Sequence, residues 1–295
     1  MFAALYRTPA ALLTLTAVMW AMNAIIGQLA VGEIAPMTLV LGRWVLVAAT
    51  MWALYGRDVK AHWPAIRARF WPVAFMAVSG FTAFNTLFYI ASIHTTGVNI
   101  GIIQGAMPVF VMLGALAVFG EKVSPGRAVG VVVTLCGVVV IACRGDIRVL
   151  AALAFNYGDV LMLIAAVLYS AYTVALRGRP EAPGAVLFTI FAVIAAVSAA
   201  PLAIWEATGA AYVAPTGTGW FLTLLVAIFP SCLAQLFFLR GVDLIGPARA
   251  GVYINLVPVF AAAGAVLVLG EVFAIYHAVA LALVLVGLWL SQRSA

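Results

Sequence analysis

Charge is scarce in this chain. Nine acidic and fifteen basic residues are spread over 295 positions, 8% of the sequence, against roughly 25% in a soluble domain. That scarcity excludes an ordinary water-facing fold. Cysteine is almost as rare, with three copies. Cys136 and Cys143 fall on one apolar stretch, two helical turns and roughly 10 Å apart, too far to bridge, and Cys232 sits in another. The three histidines, His62, His94 and His277, are dispersed near the ends of apolar runs and do not resemble a metal site. A His-Glu-x-x-His motif, a serine in a Gly-x-Ser-Gly setting and paired acids within an apolar run are all missing, which argues against an intramembrane enzyme. No acidic residue lies in the middle of a span, so neither a proton relay nor a sodium cage is visible. Nothing calls for a cofactor.

What the chain has in abundance is apolar surface: 66% hydrophobic residues and a mean hydropathy of +1.19. Roughly 20 such residues cross a bilayer as a helix. Ten spans are expected, at about 9–31, 36–55, 72–92, 97–119, 125–143, 157–176, 183–205, 218–239, 247–269 and 274–291. Thr8-Pro9 and Ser124-Pro125 pair a capping residue with proline at the first helical position. The stretch after Arg7 is a full span without a small-residue cleavage site, so a signal peptide is not expected. With the N-terminus inside, twelve basic residues fall on inner segments and two, Arg144 and Arg148, on outer ones. This positive-inside bias puts both termini in the cytoplasm. The net charge of +6 is explained by that anchoring and does not imply nucleic acid. Trp63 and Trp71 fall near the inner interface, Trp205 and Trp220 near the outer one, as an aromatic belt requires.

The sequence also repeats itself 150 residues on. Pro108-Val109-Phe110, Gly114-Ala115, Val118 and Gly120-Glu121 recur as Pro258-Val259-Phe260, Gly264-Ala265, Val268 and Gly270-Glu271. Phe88/Phe238, Gly101/Gly251, Ala128/Ala278, Val129/Val279, Leu135/Leu285 and Gly137/Gly287 share the offset, fourteen positions in all. Five spans per copy make the second copy enter from the opposite side, the inverted plan of many secondary transporters. The expected architecture is therefore an all-α membrane protein, a single transmembrane domain over 1–295. Repeat 1 covers about 9–143, a linker about 144–156, and repeat 2 about 157–292. Pro108 and Pro258 sit near mid-span, where proline frees the carbonyls of Gln104 and Ile254. They are read as hinges or cavity kinks, with simple packing kinks as the rival. Glu121 and Glu271 end their spans as repeat-related loop anchors.

Candidate binding residues follow from polar stripes, which must face protein or water because lipid offers no partners. Span 1 carries Trp20, Asn23 and Gly27 on one face. Span 6 offers Tyr169, Tyr172 and Thr173 at matching depth. Span 3 has Thr82, Asn85, Thr86 and Tyr89, and span 8 has Ser231 and Gln235, Asn85 and Gln235 being repeat equivalents. Phe81 and Phe88 are weaker candidates for apolar walls. Span 4 aligns Gly97, Gly101, Gln104 and Pro108, and span 9 contributes Gly251, Tyr253, Asn255 and Pro258. Tyr253 and Asn255, two residues apart, share a face only if the kink rotates them. Indole, phenol and carboxamide groups suit a ring-bearing substrate; interhelical hydrogen bonding is the alternative for each. Arg43 lies two turns inside span 2, costly enough to be a functional candidate. It is either a contact for a substrate carboxylate or a structural group that snorkels or pairs within the protein. Asp159, at the start of span 6, suits the helix dipole. Gly126, Gly130, Thr134 and Gly137 of span 5 suit close packing against a helix of this chain or of a second protomer.

Together Trp20-Ala-Met-Asn23, Leu41-Gly-Arg43, the Pro-Val-Phe…Gly-Glu run with its copy, and Gly158-Asp159…Tyr169-Ser-Ala-Tyr172 resemble the drug/metabolite transporter superfamily, of the ten-helix EamA type. The resemblance covers essentially the whole chain and extends to the YddG-type aromatic amino acid exporters. It implies a bacterial inner-membrane exporter of small metabolites, with a helical basket around a central cavity and helices 5 and 10 set apart. The partners expected are a small-molecule substrate and the lipid bilayer. Transport of other amphipathic solutes, such as amines, drugs or nucleotide-sugar-like metabolites, is the alternative, with a channel or intramembrane enzyme behind it; a channel lacks the expected filter loops or selectivity ring.

Overall fold

The computed structural model describes residues 8–120, 124–146, 148 and 155–293, with the side chains of 247–249 and 291–293 outside the description. Glu121, Arg7 and Lys122, and most of the expected linker, also lie outside the described residues. Among those described, every regular element is helical. Nine helices among the described residues are long and apolar enough to cross a membrane, and a tenth, Ile275–Leu290, is a shorter apolar one.

We number the spans α1 (Pro9–Leu29), α2 (Pro36–Ala68), α3 (Phe70–His94), α4 (Gly97–Phe119), α5 (Pro125–Ala142), α6 (Tyr157–Gly178) and α7 (Gly184–Ala207), followed by α8 (Gly217–Ile245). Then come α9, built of Pro247–Val252, Tyr253–Leu256 and Val257–Leu269, and α10 (Ile275–Arg293). The starts are local chemistry. Thr96, Ser124, Asn156 and Thr216 each accept a hydrogen bond from a first-turn N–H, relieving donors that a helix start leaves orphaned. Thr8 precedes Pro9 at N1 without such a side-chain bond. Gly120 and Gly270, repeat equivalents, end α4 and α9 at φ +65 and +69. Only glycine takes that left-handed conformation without a steric penalty.

α2 differs from expectation. It does not stop near 55 but continues to Ala68, carrying Arg57, Asp58, Lys60 and Arg67 and with Pro64 inside it. The basic segment is thus largely helical: Val59 and Ile66 are buried while the charged groups stay at the surface, an amphipathic extension that needs no loop.

Irregularities recur at the repeat offset. A π turn spans Val78–Ala83 in α3 and another spans Ala227–Leu233 in α8. α4 breaks at Ala106, where the N–H turns back to Ile103 O at 3.0 Å. α9 passes through a 3₁₀ turn, Tyr253–Leu256, whose following residue Val257 donates to the Ile254 carbonyl. Both prolines follow these breaks within two residues, so the carbonyl that Pro258 frees is taken up by tighter local winding.

Packing follows the same order. α2 packs on α7, α4 on α9, and α5 on α10; α1 lies against α8 and α9 as α6 lies against α3 and α4. Exchanging the halves maps this pattern onto itself. α5 and α10 pack chiefly against each other. There a Cβ on Gly287 would lie 2.6 Å from Gly130 O, and one on Gly137 2.8 Å from Ala280 O. The close neighbour of the α5 glycines is therefore α10 of the same chain.

Candidate functional site

Four helices bring their polar stripes to one cation. Arg43 of α2 is 6% exposed. Its Nε donates to Ser231 Oγ of α8 at 2.8 Å. Its Nη1 donates to Asn23 Oδ1 of α1 at 3.1 Å and to Asn85 Oδ1 and Tyr89 Oη of α3 at 2.7 and 2.9 Å. All four partners are neutral. The π turns help to aim two of them: Ser231 lies inside the one in α8, and Asn85 follows the one in α3. A charged side chain at the middle of a membrane helix costs about 2.5–3.5 kcal/mol. Here charge-assisted hydrogen bonds offset that cost without a counter-charge.

An aromatic wall stands beside this node. Phe81 meets Tyr172, Phe188, Phe191 and Trp44 at centroid distances of 5.0 to 5.9 Å. Tyr169 touches Phe84 and Tyr172 at 5.1 and 5.3 Å. Trp20 is elsewhere. Its ring pairs with Phe238 at 5.2 Å and borders a narrow crevice, too tight for a water, shared with Leu13, Thr16, Tyr253 and Ile254. The expected ring-binding set is thus divided: Tyr169 and Tyr172 touch each other, and Trp20 makes no ring contact with either.

Gln104, Gln235 and Asn255 are half-buried. Gln104 keeps Oε1 buried without a protein partner, whereas Asn23, Asn85 and Tyr89 already bond Arg43. Thr173 bonds its own helix at Tyr169 O.

A second polar cluster joins the ends of the bundle where α1, α3, α4, α6 and α9 meet. Glu271 accepts from the N–H groups of Gly97 and Val98 at 2.7 and 3.0 Å, capping α4 from 174 residues away. Asp159, 0% exposed, accepts from Thr95 Oγ1 at 2.5 Å and Asn99 Nδ2 at 3.2 Å, while Gln28 donates to Thr95 O at 2.6 Å. At the same end Glu206 caps α2 through Met37 and Thr38 N–H at 2.9 and 2.8 Å. Asp159 therefore serves its neighbours as well as its helix dipole, and Glu271 anchors a helix start. No group of three potential metal ligands exists among the described residues.

Sequence reasoning missed Trp44, hidden in an apolar run, and the capping carboxylate Glu206. The only signal for Glu206 was an acid placed opposite the start of another span.

The repeated helices, buried polar junction and apolar exterior define a multi-pass membrane protein of the transporter type. The sequence model of the "EamA-like transporter family" matches residues 8–143 and again 156–292, and the chain belongs to that family. The uncharacterized transporter YetK of Bacillus subtilis (strain 168) is 23% identical over 273 residues, 91% of this chain and 82% of that protein. An uncharacterized transporter of Archaeoglobus fulgidus is 27% identical over 274 residues, covering 88% and 89% of the two chains. A solved crystal structure with 22% identity superposes with a TM-score of 0.64 over 97% of each chain; that likeness concerns the fold.

Proposed function

We propose that this chain is a secondary transporter that exports small amphipathic metabolites, aromatic and other neutral amino acids first, from the cytoplasm across a bacterial inner membrane. Its two halves are inverted repeats with both termini inside, and they alternate access to a site between them. The observation that carries this reading is the pairing of irregularities by repeat. Matched π turns and matched breaks at 106 and 256 surround a buried polar junction contributed by both halves. Breaks in the helical ladder are where a membrane helix flexes at low cost. Trp20, Tyr169 and Tyr172 offer ring surface to the substrate, and Gln104, Gln235 and Asn255 offer dipoles alongside the Asn23, Asn85 and Tyr89 node.

Counterflow tests it. Purified protein in liposomes preloaded with unlabelled phenylalanine should accumulate labelled phenylalanine saturably and exchange it for other neutral amino acids. Ohmic current without exchange, or no flux with any of them, would remove the reading.

A further inference from the structure

The Arg43 node has a surplus of donors. Three of its four acceptors are fixed in that role by a second bond of their own. Tyr89 gives its hydroxyl proton to Asn23 Oδ1 at 2.8 Å, Ser231 gives its own to Val226 O at 2.6 Å, and Asn85 ties its Nδ2 to Phe81 O at 2.6 Å. Their oxygens are left to accept, and they hold Nε and Nη1. The remaining nitrogen, Nη2, bonds no protein atom among the described residues. It is also not among the fully sealed polar atoms that lack a partner. Beside it, the Trp44 ring centre lies 5.0 Å from Arg43 Cζ. That indole is 2% exposed, and its Nε1 is buried with no partner. Two donors, one of them cationic, thus stand in one neighbourhood with no acceptor from the protein. A structural arginine in lipid surroundings is ordinarily matched by an acid; none pairs with Arg43 among the described residues.

We infer that Arg43 and Trp44 form an anion-recognition subsite that takes the carboxylate of the transported molecule. A carboxylate brings an acceptor to Nη2 and supplies the missing counter-charge, and a turn of the indole toward it would give the sealed Trp44 Nε1 its partner. The neutral cradle holds the guanidinium in place before the ligand arrives, so little ordering remains to be done on binding. This rests on the transport reading only in calling the ligand a substrate; the subsite itself can be tested by binding alone.

The probes are phenylacetate, which has a ring and a carboxylate, and phenethylamine, which has the ring and no carboxylate. Thermal unfolding of the full chain in lipid nanodiscs is followed as each is titrated. Phenylacetate should raise the midpoint of the native protein and phenethylamine should not. Arg43→Gln should weaken the phenylacetate effect by about tenfold or more, as expected on losing a hydrogen bond to a charged donor. Arg43→Lys should keep part of it. Trp44→Phe, which preserves the ring and removes the Nε1 donor, should weaken it about threefold to tenfold, and it serves if Arg43→Gln does not fold. Equal stabilisation of the native and Arg43→Gln proteins, or of the native and Trp44→Phe proteins if the glutamine variant is lost, overturns the subsite. So does no stabilisation of the native protein. Counterflow separates the two ideas. Phenylalanine flux whose preference over phenylalaninamide is unchanged in Arg43→Gln and Trp44→Phe sinks the subsite and leaves transport standing. Arg43-dependent phenylacetate binding without amino acid flux does the reverse.

Discussion

Residues 97–105 and 247–255 occupy equivalent places in the two repeats, and they live in different surroundings. The first half of α4 is almost wholly buried: Val98, Ile100, Ile102 and Ile103 are at 0% exposure. A Cβ at Gly101 would sit 2.5 Å from Ala261 Cβ. In α9, Gly251 has nothing within 4 Å of a built Cβ, Val252 is 52% exposed, and Tyr253 to Leu256 are half-buried. The two stretches share only Gly101/Gly251, so their side chains contribute to the difference: four isoleucine and valine residues line the first, while Arg249, Tyr253 and Asn255 fall in the second. Carboxylates also hold the covered copy. Glu271 and Asp159 grip the start of α4 through its N–H groups, Thr95 and Asn99. Under the proposed alternating access, related halves in unequal environments would be one frame of the cycle. In the proposed orientation the clamped end faces outward and the looser end faces the cytoplasm.

The largest effect should come from putting a methyl group into both copies. Gly101→Ala forces Ala261 to move, an overpacking that costs about 1–3 kcal/mol. Gly251→Ala meets open space in a helical position, where alanine is favoured by up to about 1 kcal/mol. Melting midpoints of the two variants should therefore shift in opposite directions. Equal shifts would mean that the two segments are packed alike.

Next is the clamp. Glu271→Gln keeps one acceptor but gives up the charge, at a loss of about 1–2 kcal/mol for the two N–H bonds. The start of α4 should then open more often. A membrane-impermeant maleimide should label Val98→Cys slowly in the native background and several-fold faster with Glu271→Gln, whereas labelling of Val252→Cys should fall or stay level. If Val98→Cys reacts at the same rate in both backgrounds, the carboxylate is not what holds this end shut.

How much of this was legible beforehand differs by kind of information. The number and rough place of the helices follow from apolar runs of bilayer length. The paired glycine caps at 120 and 270 follow from an exact offset, as do the breaks before Pro108 and Pro258. A 3.6-residue period gives the face of Asn85 and Tyr89 but not which helix that face meets. That depends on rotation and depth across the whole bundle. Arg43 gathers partners from α1, α3 and α8, and Glu271 caps a helix 174 residues earlier; no local pattern encodes either. The end of α2 was misplaced because a run of charge reads as loop, while one buried stripe, Val59 and Ile66, is enough to keep it helical.

A smaller effect is expected at the breaks. Pro108→Ala and Pro258→Ala each give back a donor able to complete the ladder, worth about 0.5–1.5 kcal/mol. If flexure there accompanies the exchange of the clamped and looser ends, turnover should drop several-fold while the melting point holds or rises. Unchanged turnover in both would reduce the kinks to packing.

The smallest effect concerns the rings that the two halves place at related positions. Trp20 rests on Phe238 beside the looser half of α9, where Tyr253 and Ile254 share its crevice. Tyr169 rests on Phe84 and Tyr172 within the covered aromatic wall. If substrate enters from the looser end, Trp20 meets it with a half-buried face, and a contact of that sort contributes about 0.5–1 kcal/mol. Trp20→Ala should then raise the half-saturating concentration of phenylalanine about twofold to fivefold and leave alanine nearly unchanged. Tyr169→Phe should alter neither, because its ring is retained. Counterflow of the two labelled amino acids in each variant decides the matter. A phenylalanine-to-alanine preference untouched by Trp20→Ala would make that ring a packing group, and the asymmetry of the two α4-like segments would then concern stability alone.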